Sequence, residues 1–277
     1  MTKRLLSITL VLVFVLSMVT GCTNVDHFIE QPNPYETTSN NETTNTTSPD
    51  ITEPSDSNES SEPIITTDPT NKDEILASLN HELFDGENAF MVVNDNIPFF
   101  TEDEITAVSF EIYGDLDELG RCTTAFASVG KDLMPTEDRE SISSIYPTGW
   151  KYNGKSNNNK YDFVSAKYIY NRCHLIGFQL TGENANKQNL ITGTRFLNID
   201  GMISFENMIA DAVKESNIHV MYRVTPIFEG DNLVAEGLLL EGYSVEDNGE
   251  TIEFCVFSFN VQPGVVINYA TGENWAA

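Results

Sequence analysis

Hydrophobic and polar positions divide the chain into three stretches. Leu5 to Val19 is an apolar run broken only by Ser and Thr. From Pro32 to Lys72 the residues are mostly Thr, Ser, Asn, Pro, Asp and Glu, with hardly an aliphatic side chain before Ile64-Ile65. After Asp73 the apolar positions recur with regular spacing. Ile75, Leu76, Leu79 and Leu83 predict a short helix over 73–84. Ala89 to Val93 and the alternating Gly120 to Val129 predict strands. Residues 131–160 are polar, carry Pro135, Pro147 and Gly149, and predict long loops of the kind that wall a site. Phe163 to Tyr170 is β-rich and runs into Asn171-Arg172-Cys173-His174; Asn189 to Leu197 is a second β-rich segment. Met202, Phe205, Ile209, Ala212 and Val213 keep the 3.6-residue period of a helix ending near Ser216. Three strands follow, Ile218 to Phe228, Leu233 to Tyr243 and Thr251 to Phe259, separated by acidic Asn- and Gly-bearing turns. Strand, strand, helix and an antiparallel meander predict the α+β class.

Charge refines this division. The 277 residues carry 42 acids against 15 Lys and Arg, a net −27. Such a total argues against a nucleic-acid partner, because phosphate binding rests on Lys and Arg. The distribution reverses that reading locally. Residues 74–120 hold 12 acids and 224–277 hold 9, with no base in either, whereas 121–223 hold 12 bases against 10 acids. A polyanion is kept from most of the surface but not from the middle of the chain.

The apolar run follows Lys3 and Arg4 and ends in Val19-Thr20-Gly21-Cys22. Its length suits a secretory leader and is short for a membrane span. A Cys directly after that small-residue site resembles the lipobox of bacterial lipoproteins. The resemblance implies a signal peptide over 1–21 and a lipidated Cys22. The expected location is the bacterial cell surface, where the lipid holds the chain on the outer face of the cytoplasmic membrane. The polar stretch through 22–72 cannot bury enough apolar surface to offset its chain entropy and reads as a disordered acidic tether. The folded domain is then 73–277. Cys122, Cys173 and Cys255 permit one disulfide at most, and the sequence does not say which.

The residues that carry chemistry lie in the basic window. His174 ends a strand, while Asn189 and Asn198 follow it by 15 and 24 positions, Asn198 where the second strand gives way to the helix. An imidazole with a pKa near 6.5 suits a general base. A hard cation such as Mg²⁺ takes amide oxygen and water as ligands. An imidazole and an amide oxygen around one phosphate would serve phosphodiester hydrolysis.

These blocks also carry a resemblance. Asn171-Arg-Cys-His-Leu-Ile-Gly-Phe-Gln-Leu-Thr-Gly, Asn189-Leu-Ile-Thr-Gly-Thr-Arg and Phe205-Glu206-Asn207 resemble the DNA/RNA non-specific endonuclease family of the ββα-metal (His-Me finger) type. Further matching blocks, from Leu116-Asp-Glu-Leu-Gly-Arg-Cys to Tyr269-Ala-Thr-Gly, extend the resemblance over roughly 85–273, nearest to the streptococcal and DNA-entry nuclease branch. It implies a ββα-metal core embedded in a mainly antiparallel sheet with flanking helices. His174 matches the general base of the family's Asp-Arg-Gly-His signature, and Arg172 the arginine that meets the phosphate or the transition state. Asn198 matches the metal-binding Asn. Asn189 matches a second Asn near the metal or orienting its ligands, and Glu206 an acid reaching metal-bound water. The cofactor implied is one Mg²⁺ or Mn²⁺ per site; the partner is DNA, with RNA as a second candidate, and the products carry 5′-phosphates. No protein partner is expected. Arg195 and Lys167 are candidate backbone contacts, as are Lys151, Lys155 and Lys160.

Two positions depart from the signature, Asn171 for its Asp and Cys173 for its Gly. They put rate and pH optimum in question and support one rival, a catalytically impaired surface lipoprotein of the same fold. A second rival is a peptidase or transferase working through Cys122 or Cys255. Cys173 and His174 do not form a nucleophilic pair, because adjacent strand residues face opposite ways.

Overall fold

The computed structural model describes residues 72–277. The leader, Cys22 and the tether up to residue 71 lie outside the described residues. Helix α1 (Lys72–Ser78) is shorter than the periodicity predicts. Leu83 belongs to a separate 3₁₀ turn, His81–Leu83, begun by the Asn80 side chain accepting from the Glu82 N–H at 2.9 Å. An Asx cap here starts a new turn and stops the helix from running on.

Strands β1 (Phe90–Val92), β2 (Phe110–Tyr113) and β3 (Ala125–Val129) precede the long polar loops. A small hairpin, β4 (Lys151–Tyr152) and β5 (Lys155–Ser156), stands within those loops. Then come β6 (Tyr170–His174), the single helical turn α2 (Phe178–Thr181), and β7 (Leu190–Thr194). A π-helical turn, Leu197–Met202, leads into α3 (Ile203–Ser216). Strands β8 (Val220–Ile227), β9 (Gly237–Ser244) and β10 (Glu253–Phe259) form the meander, and the pair β11 (Val265–Ile267) and β12 (Asn274–Ala276) closes the chain. The strand expected from Phe163 begins only at Tyr170, because Ala166 and Lys167 turn through positive φ (58° and 70°). Of this β-rich segment only Ile169 joins the small cluster around Trp150 and Tyr170, while Phe163 and Tyr168 stay exposed.

One antiparallel sheet in the order β1-β10-β9-β8-β3-β2 organises the molecule. It is apolar on both faces, which explains unbroken runs such as Leu238-Leu239-Leu240. Leu238 and Leu240 join Phe254, Val256 and Tyr222 under Phe205, Ile209 and Val213 of α3. Leu239, Cys255 and Phe257 face the other way, toward Leu79, Ile75 and Leu76. Period-two alternation thus feeds two cores. Arg223 is directly opposite Glu241 across β8 and β9 and meets it with two bonds of 2.7 and 2.8 Å, plus Glu104 at 2.8 Å. A buried cation needs such a matched set of acceptors. The second sheet element, β6 paired with β7 from Tyr170↔Thr194 to His174↔Leu190, packs with α3 as a ββα unit. That is the α+β arrangement expected.

Candidate active site

The ββα unit places the nominated residues at one end of β6. Arg172 and His174 are two apart on β6 and therefore share a face, while Cys173 points the other way. Beyond His174 the chain is fixed by Asn189. Its backbone carbonyl accepts from the Leu175 N–H at 2.9 Å. Its side-chain oxygen accepts from the Ile176 N–H at 2.9 Å, and its side-chain nitrogen donates to the Ile176 carbonyl at 2.9 Å. Asn189 is fully buried. Both amide atoms bond Ile176, which makes Asn189 a clamp on the turn after His174, the orienting one of the two roles the resemblance implies.

His174 is 7% exposed. Its Nε2 lies 3.2 Å from the Asn184 carbonyl oxygen and its Nδ1 3.4 Å from the Arg139 guanidinium. A carbonyl only accepts and a guanidinium only donates, so the partners fix one neutral tautomer, with the proton on Nε2 and the lone pair on Nδ1. Burial, reinforced by the Arg139 charge, holds the imidazole down at about 4. The two neighbours of the ring are themselves tied, since the Glu140 N–H donates to Asn184 Oδ1 at 3.0 Å.

Arg172 is held rigidly. Its Nε donates to the Ile145 carbonyl at 2.5 Å and a terminal nitrogen to the Ser143 carbonyl at 2.9 Å, while the guanidinium lies 4.2 Å over Trp150 and 5.3 Å from Tyr146. The polar loops predicted to wall a site thus supply the carbonyls and rings that aim this arginine.

Glu206, in the first turn of α3, is 9% exposed and is pushed up to about 7 by burial, against the Gly177 N–H, Arg139 and Gln179, which favour its ionised form. Gly177 lets the carboxylate come this close, because a Cβ there would stand 2.5 Å from it and displace it. Asn198 sits in the π-helical turn, half-buried, with its Oδ1 3.2 Å from the Cys173 sulfur. π-Turns recur at functional sites because they re-aim one side chain out of the helical ladder.

His174, Arg139 and Glu206 therefore form one electrostatic group, and Asn198 is linked to it through Cys173. Arg195 and Lys167 do not join it. Arg195 Nε donates to Ser165 Oγ at 3.2 Å and Lys167 pairs with Asp162 at 3.3 Å. Both sit near the Tyr170 end of β6, about 13 Å from His174 by four residues of strand rise. Arg139 is the charged residue that sequence reasoning missed, along with the Asn184 carbonyl on His174 and the buried Tyr222 hydroxyl. Arg139 lies 35 positions before His174 in a polar loop, and only its being a basic residue in the one basic window marked it out.

Asn198, Glu206 and the hydroxyl of Tyr222 present only oxygen donors, the chemistry of a hard divalent cation. Tyr222 is wholly buried and finds no hydrogen-bond partner for its hydroxyl among the described residues, yet is within electrostatic reach of Glu206. An orphaned hydroxyl beside a buried carboxylate fits a place for a hydrated ion. The thiols are unsuited to nucleophilic work. Cys122, Cys173 and Cys255 are free and buried, and burial pushes Cys122 and Cys255 up to about 12 and Cys173 in the same direction. A nucleophilic cysteine needs the opposite shift.

Residues 101–245, which span every part of this site, match the model of the DNA/RNA non-specific endonuclease family. A deoxyribonuclease of Streptococcus dysgalactiae subsp. equisimilis is 26% identical over 208 residues, covering 62% of each chain. The chain thus spans under two thirds of that relative. NucA of Streptococcus agalactiae, solved with magnesium bound, superposes with a TM-score of 0.58 at 25% identity, covering 69% of this chain and 87% of NucA. Sda1 nuclease, solved with bound zinc, shares the fold at a TM-score of 0.57 and 24% identity, covering 69% of this chain and 97% of Sda1. With the ββα unit and the family model both in place, the chain belongs to the DNA/RNA non-specific endonuclease family.

Proposed function

We propose that this protein is a divalent-metal-dependent endonuclease that hydrolyses phosphodiester bonds of DNA, with RNA as a second substrate, with little sequence specificity. One observation carries the reading: His174 is neutral, with its Nε2 proton bound to Asn184 and its Nδ1 lone pair left as the acceptor. Nδ1 takes a proton from water as that water attacks phosphorus, and Asn184 steadies the imidazolium as it forms. Arg139 covers Nδ1 in the free protein; an incoming phosphate draws the guanidinium onto its own oxygens and frees the lone pair. Arg172, on the same strand face, holds a second phosphate oxygen. Asn189 keeps the turn after His174 in place. Asn198 and Glu206 would hold Mg²⁺ or Mn²⁺, which when bound supplies positive charge to the phosphate and to the departing 3′ oxygen. Arg195 and Lys167, beyond the Tyr170 end of β6, would meet the nucleic-acid backbone and not the reacting phosphate, so sequence is hardly read.

The Cys22 lipid and the acidic tether would hold the domain at the bacterial cell surface, on the outer face of the cytoplasmic membrane. The test is plasmid digestion by the full chain with Mg²⁺, with EDTA, and with His174→Ala. Cleavage that needs metal and His174 is expected. DNA retained in a gel shift but uncut with every metal would instead favour the impaired rival, and full activity in His174→Ala would sink the assignment.

A further inference from the structure

Cys173 stands where the family signature has glycine, and its environment is built to receive a side chain. Gly193, on the paired strand β7, leaves room for it: a Cβ there would lie 2.6 Å from Cys173 Cβ and 3.2 Å from its sulfur. Cys173 is 1% exposed, and its one S–H has three acceptors in reach: Asn198 Oδ1 at 3.2 Å, the weakly accepting Met202 Sδ at 3.4 Å and the His174 carbonyl at 3.7 Å. Of these the amide oxygen is both the nearest and a stronger acceptor than the thioether. The Cys173 sulfur lies 3.2 Å from Asn198 Oδ1, within reach of a thiol hydrogen bond. A glycine at 173 offers Asn198 no such partner.

We propose that Cys173 is a positioning residue for the metal site: its S–H donates to Asn198 Oδ1 and fixes the carboxamide plane so that the second lone pair of the same oxygen faces the ion. This rests on Asn198 being the metal-holding residue. An amide oxygen has two lone pairs, so one donor and one cation share it without competing. The thiol approaches the Asn198 carboxamide from β6, the strand side of the π-turn that carries it. Partners of this kind affect metal affinity about 10- to 100-fold when removed, and a thiol, as a weak donor, belongs at the lower end.

Two readouts separate this proposal from the reading beneath it. Mn²⁺ binding to the full chain is measured by calorimetry for the wild type, Asn198→Ala, Cys173→Ser and Cys173→Ala. Asn198→Ala is expected to lose most Mn²⁺ affinity; if it binds as the wild type does, the metal reading fails whatever the cysteine does. Cys173→Ala is expected to weaken Mn²⁺ by about tenfold, and Cys173→Ser, which keeps a donor, to restore it to within about threefold of the wild type. Wild-type affinity in Cys173→Ala, or an equal loss in the serine variant, overturns the proposal. The second readout needs no metal. The S–H stretching band in the Raman spectrum, assigned to Cys173 by its absence in Cys173→Ser, is expected at the lower frequency of a bonded thiol. It should move up in Asn198→Ala. A band unmoved by Asn198→Ala overturns the proposal even if the alanine variant at 173 does not fold.

Discussion

His174 is the group whose protonation the fold opposes most clearly, and the cost of charging it has a definite size. In an unfolded chain imidazole titrates near 6.5; in the fold, burial and Arg139 hold it at about 4. Between those values the unfolded chain binds a proton that the native state refuses, so stability falls as pH falls from 6.5 toward 4 and is unaffected above. Each pH unit of separation is about 1.4 kcal/mol, so the full effect is about 3 kcal/mol. The comparison is His174→Gln, which keeps an N–H for the Asn184 carbonyl and cannot titrate. Urea unfolding of both proteins at pH 7.5 and pH 4 gives the difference in stability at each pH, with the titration of every other carboxylate cancelling. The wild type should lose about 3 kcal/mol more than the variant on acidification. The acid limb of kcat/KM, which reports the free enzyme, should lie well below the 6.5 of an ordinary histidine. A difference constant to about 0.5 kcal/mol across the range would refute both the burial of a neutral imidazole and the tautomer drawn from its partners.

Three further outcomes follow from the same contacts. Asn189→Ala removes both bonds to Ile176 and leaves a buried N–H and carbonyl unpaired, so urea unfolding should show a loss of about 2–4 kcal/mol; under about 1 kcal/mol would mean the clamp is dispensable. Arg172→Lys cannot reach the Ser143 and Ile145 carbonyls together or lie flat on Trp150, and kcat/KM for plasmid should fall on the order of tenfold with the melting temperature nearly unchanged. His81 Nδ1 is paired with the buried Glu236 and its ring stacks on Tyr269 at 4.2 Å. Its bond to Glu236 raises the His81 pKa, so its contribution is present below pH 6.5 and lost as pH rises through the folded value. His81→Gln should therefore lower the melting temperature more at pH 6 than at pH 9, and equal losses would count against the ion pair.

Local chemistry made the ββα unit legible before its geometry was known. Strands β6 and β7, helix α3 and the three meander strands each keep one period over enough residues to be read, and Arg172, His174 and Asn198 stand at their ends. Long-range contacts were the part the chain order hid. Arg139 acquires its place only through a loop that folds back 35 residues onto His174. Asn189 is an amide at the expected position, but its bonds to Ile176 depend on that residue coming within 2.9 Å of both its atoms. The apparent strand at 163–169 failed for a related reason: Val164 and Ile169 are buried while Phe163 and Tyr168 are exposed, and Ala166 and Lys167 turn the chain between them, so β-rich composition does not bring extended backbone.

The charge pattern gains its meaning from the sheet order. The base-free segments 74–120 and 224–277 supply β1, β2, β9 and β10, so acid-rich chain forms both edges of the large sheet. Cations outside 139–195 are in part consumed by structure: Arg223 is locked to Glu241 and Glu104, Arg121 to Asp117 and Lys72 to Glu241. Residues 139–195 keep eight Lys and Arg against three acids, a net of +5, and include both arginines nearest His174. Repulsion from the acidic edges is screened beyond about 10 Å at 0.1 M salt. A nucleic acid therefore meets a weak barrier at a distance and a strong one on contact everywhere except over the ββα unit. Weak binding with a modest salt slope is then the expected result of a salt titration, because the body that repels a polyanion leaves one net-positive stretch around His174; a slope showing many released counterions would contradict it.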